Sequence, residues 1–156
     1  MVGLYRVAWT TEKLKPQSTS YRLIADYDYY ADAIDKLWAE TSIPKFPTVY
    51  PQIVAERDGK VVGFIARRHV KDNVVVEPVL APNIFVYIRL IENLERVLKQ
   101  AGVGFYYFRL EPQRVKHERL LRKGGEAFVK DLGYHDGYLW FRRSIGENLH
   151  ENSLGS

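Results

Sequence analysis

The sequence predicts an α/β fold: a mixed, mostly antiparallel sheet of six to seven strands, flanked by helices on both faces. Three observations carry this expectation. Asp58-Gly59 lies between two apolar-rich runs, and this dipeptide tolerates the positive φ angles of a tight hairpin turn. Apolar residues recur at helical spacing from Asn83 to Gln100, and Gly102 follows as a stop. The run Val103 to Leu110, almost continuously apolar and aromatic, comes next and reads as a central strand covered on both faces.

Taken in order, residues 1 to 20 read as an N-terminal extension. Leu4 to Trp9 can form an edge strand, and Thr10 to Ser20 is a polar connector containing Pro16. The main domain spans residues 21 to 145, and residues 146 to 156 form a polar tail. Tyr21 to Ala25 reads as a short strand. Asp28 is placed to N-cap a helix through Thr41, because Ala31, Ile34, Leu37 and Trp38 recur on one face before Ile43-Pro44.

After the Pro-punctuated loop Lys45 to Tyr50, the hairpin joins Gln52–Arg57 to Val61–Arg68, and a third strand, Asn73 to Leu80, pairs antiparallel with the second. Pro78 cannot donate a ladder hydrogen bond, so a bulge or a splayed strand is expected there. The second helix, capped by Asn83, carries Ile84, Tyr87 or Ile88, Ile91, Leu94 or Glu95, and Leu98 on one stripe. A basic helix follows from Gln113 to Lys123, ended by Gly124-Gly125, and Phe128–Leu132 and Tyr138–Arg143 close the domain as a hairpin.

Bulk properties narrow the function classes. The 156 residues are one domain's worth, with 46% hydrophobic and 27% charged residues. No apolar run reaches the roughly 20 residues of a membrane helix, so no membrane role is expected. With no cysteine there is no thiolate nucleophile and no cysteine metal site, which fits an intracellular or particle-associated setting. A net charge of +4 without a dense Lys/Arg stripe does not point to nucleic acid. The 11 tyrosines, with clusters at Tyr27, Tyr29, Tyr30 and at Tyr106, Tyr107, suit either half-buried packing or a protein interface.

Other chemistry finds little support. His69, His117, His135 and His150 lack metal-ligand spacing, so no metal site is expected. No serine lies in a nucleophile-elbow setting. The Lys116, Arg119, Lys123 face reads as a solvated helix surface before it reads as an anion site.

The order strand, helix, three-stranded meander, helix, strand, helix, strand over about residues 21 to 144 resembles the GNAT superfamily of N-acetyltransferases. Ile53-Val54-Ala55-Glu56-Arg57-Asp58-Gly59-Lys60-Val61-Val62-Gly63-Phe64 is similar to that family's second and third strands. Leu80-Ala81-Pro82 stands where its strand ends before the cofactor loop, and Gln100-Ala101-Gly102-Val103 resembles the end of its cofactor helix. The stretch His117 to Phe128 looks like the last helix running into the sixth strand, and is similar to GNAT-like proteins of tailed phages.

The resemblance implies an acyl-CoA site around Val79, Leu80, Asn83 and Ile84, and Glu77 as the one carboxylate positioned to collect an amine proton. Glu77 has a second reading, as a glutamate turned to solvent or paired with Arg67 or Arg68. The family's pyrophosphate loop is glycine-rich, yet Pro82-Asn83-Ile84-Phe85-Val86-Tyr87 contains no glycine and puts bulky side chains where N–H groups should face phosphate. Where the family often places an acidic tyrosine, this chain has Leu120 or Val129. The expectation is therefore a GNAT-like protein with a degenerate acyl-CoA site and no cofactor. It acts by protein contact, with a protein partner or as a homo-oligomer, in a phage particle or in the host cytoplasm. The alternative is an active acetyl-CoA-dependent N-acyltransferase with an unorthodox cofactor loop.

Overall fold

The computed structural model describes residues 3–4, 7–9, 19–43, 45, 49–70, 72–110, 128–135 and 138–145. Nine strands and two helices occur among them: β1 (Gly3–Leu4), β2 (Val7–Trp9), β3 (Thr19–Leu23), α1 (Tyr27–Ala39), β4 (Val49–Arg57), β5 (Lys60–Val70), β6 (Asn73–Ala81), α2 (Ile84–Gln100), β7 (Phe105–Leu110), β8 (Phe128–His135) and β9 (Tyr138–Ser144). The expected basic helix, the glycines after it and the polar tail lie outside the described residues, as does most of the connector from Thr10 to Ser20.

Seven strands form one continuous sheet in the order β3-β4-β5-β6-β7-β9-β8. Neighbours run antiparallel except β6 and β7, which are parallel because α2 carries the chain from the end of one to the start of the other. The expected architecture thus holds. The β4–β5 hairpin turns at Asp58 (φ 52) and Gly59 (φ 76), and Gly102 ends α2 at φ 80.

Strand alternation splits the core by face. Ile53, Ile65, Val76 and Val79 pack with Val86, Tyr87, Leu90, Leu94 and Leu98 of α2. Val54, Phe64, Ala66 and Leu80 pack with Ile34, Leu37 and Trp38 of α1. The helices therefore cover opposite faces. The buried stripe of α2 keeps Tyr87, Leu94 and Leu98 of the expected one, with Ile84 and Ile91 packed at its edge, and adds Val86 and Leu90, while Ile88 is exposed.

Several boundaries differ from expectation. Asp26, not Asp28, caps α1, its carboxylate accepting from Asp28 N–H at 3.1 Å, so Asp28 sits in the first turn where its charge suits the helix dipole. The first strand of the main sheet starts at Thr19, inside the expected extension. In β7, Phe105 is 42% exposed, so that strand is not covered on both faces along its length.

Pro78 behaves as its chemistry dictates. The Glu77-Pro78 peptide bond is cis, and the β5–β6 register shifts between Ile65 and Arg67. On its other side β6 meets β7 at a single bridge, Val75 with Tyr107, and the two strands then part. The splay faces the start of α2.

A candidate acyl-donor cleft and its surroundings

Strand β6 has two hydrogen-bonding edges. Strand β5 takes one of them, pairing Ile65 with Val79 and Phe64 with Leu80. The other edge belongs to β7 only at Val75, and beyond the splay it is taken by β2, which runs parallel to β6 with Val7 opposite Val79, Ala8 opposite Leu80 and Trp9 opposite Ala81. The N-terminal strand expected at the sheet's rim thus lies inside the sheet, between two diverging strands. An extension strand can go there because Pro78 and the splay leave backbone groups that need partners.

Glu77 sits at the base of this gap with 0% exposure. Its Oε1 accepts from Nη1 of Arg68 on β5 at 2.8 Å. From β7, Arg109 donates through Nε to Oε2 at 3.1 Å and through Nη2 to Oε1 at 3.3 Å. The Arg109 guanidinium also lies 5.1 Å from the Trp140 ring centroid on β9. Within the second reading of Glu77, solvent exposure is excluded and pairing with Arg68 is found, with Arg109 as a further partner that the sequence analysis did not name. The signal was present: a lone cation in the run Phe105-Tyr106-Tyr107-Phe108-Arg109-Leu110 needs a buried counter-charge.

A second buried network lies on the α2 face. Glu95 accepts from the Tyr106 hydroxyl at 2.5 Å and from Arg143 through both Nε and Nη2, tying α2 to β7 and β9. Burial raises the Tyr106 pKa well above that of an ordinary phenol, and the Glu95 charge adds to it. Tyr87 is raised for the same two reasons in the same order. Burial is the largest single influence on Arg143 and works against its charge, but hydrogen bonding to and charge interaction with Glu95 and Tyr106 together outweigh it, and the net shift is upward.

Several solved acetyltransferase structures share this architecture. A putative GNAT-family acetyltransferase from Desulfovibrio desulfuricans superposes with a TM-score of 0.60 at 11% identity, covering 82% of this chain and 99% of that one. The ribosomal-protein-S18-alanine N-acetyltransferase of Escherichia coli gives 0.56 at 14%, over 81% and 94%. The PaiA N-acetyltransferase of Thermoplasma acidophilum, solved with coenzyme A, gives 0.52 at 14%, over 75% and 70%. The fold is that of the GNAT acetyltransferases. No protein-family model matches the sequence. No curated protein matches it either. At these identities the likeness speaks for the GNAT fold alone, and this chain carries segments beyond it.

The GNAT fold implies coenzyme A, and the residues at the β6–α2 junction fit that group poorly. The Asn83 side chain accepts from Val86 N–H at 3.0 Å, and the Asn83 carbonyl accepts from Tyr87 N–H at 3.1 Å. The first of these withdraws one of the free donors of the first helical turn, Val86 N–H; the second is the helix's own first i→i−4 bond. Val79 and Leu80 are buried in the cores on opposite faces, so they offer a ligand only backbone, and on the open side that backbone pairs with β2. Ile84 packs against the α2-side core. Asn83 and Ile84 thus follow directly on the strand end that carries Val79 and Leu80, and the Asn83 side chain and the Val79–Leu80 edge have partners within the chain.

Elsewhere, a cavity of about 520 Å³ lies between α1 and the β4–β5 hairpin, lined by Tyr29, Tyr30, Lys36, Glu40, Glu56 and Lys60 among others. Neither Glu77 nor the β6–α2 junction contributes to it. Tyr29 stands edge-on to Tyr30 with centroids 4.8 Å apart and is 78% exposed. Among the described residues, no three His, Asp or Glu side chains gather to hold a metal ion, and no helix is long and apolar enough to cross a membrane.

Proposed function

We propose that this chain is a GNAT-fold protein with a degenerate acyl-CoA site that works by protein contact rather than by turnover. The observation that carries this reading is the state of Glu77. A general base must reach the proton it removes, within hydrogen-bond distance or through one water. Glu77 instead is fully buried and engaged by Arg68 and Arg109. Its role in this reading is to hold β5, β6 and β7 together where β6 leaves β7. The Asn83 cap supports the same reading, because it takes up Val86 N–H, a donor that an anion at the helix start would use.

Contact as the working mode draws on the aromatic surface. Tyr29 at 78% and Phe85 at 76% exposure present large apolar faces to solvent, the residue classes that anchor interfaces. The partner is a protein or a second copy of the chain. The phage particle or host cytoplasm suggested by the His117 to Phe128 stretch belongs to this proposal, and that stretch lies outside the described residues.

The experiment is sedimentation velocity of the intact protein beside the Tyr29→Ala/Tyr30→Ala variant, run with an assay of thiol release from acetyl-CoA over a panel of amines. The expected result is no thiol release above background and an association that the variant weakens. Sustained turnover would favour the second reading, an acetyl-CoA-dependent N-acyltransferase. One observation speaks for that reading: the gap between β6 and β7, opening at the start of α2, is retained.

A further inference from the structure

We infer that β2 is an intrasteric plug: Val7–Trp9 occupies the gap between β6 and β7 and withholds the open edge of Val79–Ala81 from any ligand that would lie along it. The inference goes beyond the proposed function by naming the element that closes the site, and it stands or falls separately from Glu77.

Because β5 covers one side of Val79 and Leu80, β2 must lie on the side where β7 has departed. That side is the only one from which an extended, amide-bearing arm could pair with β6. Strand β2 runs parallel to β6 and brings Trp9 level with Ala81, the residue before Pro82 and the Asn83 cap. A ligand with an anionic group at the positive end of α2 and an arm running back along β6 would need the positions that Val7, Ala8 and Trp9 hold. Plug and ligand therefore exclude one another by position, whatever their affinities.

The plug is also of a kind that can leave. It is three residues long, and its pairing with β6 is a short parallel register of three residues. Among the described residues, β2 otherwise pairs only with the two-residue β1, so withdrawing both strands leaves the path from β3 to β8 unbroken. A ligand that binds only the open form sees its affinity reduced by the open fraction. Removing the plug restores that factor.

The test compares the intact protein with a variant lacking residues 1–10, using coenzyme A as the probe and amide hydrogen exchange as the second readout. Deletion should speed exchange across Val79–Ala81 and tighten coenzyme A binding by about tenfold or more, the factor expected when the docked form outweighs the open one by that ratio. In the intact protein, saturating coenzyme A should speed exchange at Val7–Trp9, a measurement that needs no variant and decides the matter if the deletion does not fold. Equal affinity in both proteins, with Val7–Trp9 still protected in the complex, would overturn the plug. So would unchanged exchange at Val79–Ala81 after deletion. Tight binding by the intact chain with exchange at Val7–Trp9 raised would keep the plug and refute the degenerate site; no binding by either form refutes the plug and leaves the degenerate site standing.

Discussion

Arg109 of β7 grips both carboxylate oxygens of Glu77 on β6, at 3.1 and 3.3 Å, just past the point where these two parallel strands part. The single bridge between Val75 and Tyr107 could not hold the strands alone, and the ion pair continues across the splay what the ladder abandons. Arg68 reaches the same carboxylate from β5, so one buried charge joins three strands. A pair of this kind contributes little net stability over an apolar substitute, but breaking it leaves uncompensated charge.

Glu77→Gln should therefore destabilise the domain by about 3 to 5 kcal/mol, the usual penalty for removing one member of a buried pair. Chemical denaturation measures it. Because Arg109 loses its partner in that variant, adding Arg109→Met should cost much less than it does alone, a coupling that a double-mutant cycle reads directly. Additive losses would show that the two residues do not act as a unit.

Tyr106 and Tyr87 give the fold an alkaline limit. Their folded pKa values lie above the ordinary phenol value of 10.0, so the fold favours their protonated forms. That contribution is fully present below about pH 10 and is lost as pH rises toward the folded values, because the unfolded chain then binds fewer protons. Urea midpoints should be flat with respect to these groups from pH 7 to 9 and fall above about pH 10. In Tyr106→Phe the fall should be shallower by about 1.4 kcal/mol per pH unit.

Asn83→Ala should cost about 1 kcal/mol, the typical worth of an N-cap side chain. The hydrogen bond lost is the one from Val86 N–H at 3.0 Å. A thermal melt suffices, and no change would mean that solvent replaces the cap without penalty.

Gly63→Ala probes the tight seam between β5 and β6. A β-carbon at Gly63 would lie 2.4 Å from the carbonyl oxygen of Leu80, and that neighbour is backbone. The strands must move apart, at a cost of about 1 to 3 kcal/mol by analogy with overpacked cores. Wild-type stability in this variant would contradict the seam's geometry.

The fold was legible in the sequence wherever local chemistry dictates it. Asp58-Gly59 marked the hairpin, Asn83 and Gly102 bracketed α2, and Pro78 announced the irregular strand. What escaped was long-range. Nothing near Val7 says that it pairs with Val79, because strand pairing is set by an edge that Pro78 opens far along the chain. The two residues missed on the α2 stripe, Val86 and Leu90, have the same origin: Ile88 and Leu90 are equally apolar, and only the sheet beneath decides which is covered. At the site, Glu77 and its Arg68 partner were within reach of sequence reasoning. Arg109, 32 residues away from Glu77, was not singled out.

If the acyl-donor site of the intact chain is degenerate, acetyl-CoA binds it weakly, and calorimetric titration measures this. A Kd of about 1 mM or weaker is expected, so that millimolar ligand adds well under 1 kcal/mol to stability. A Kd in the low micromolar range, with a matching rise in melting temperature, would contradict it.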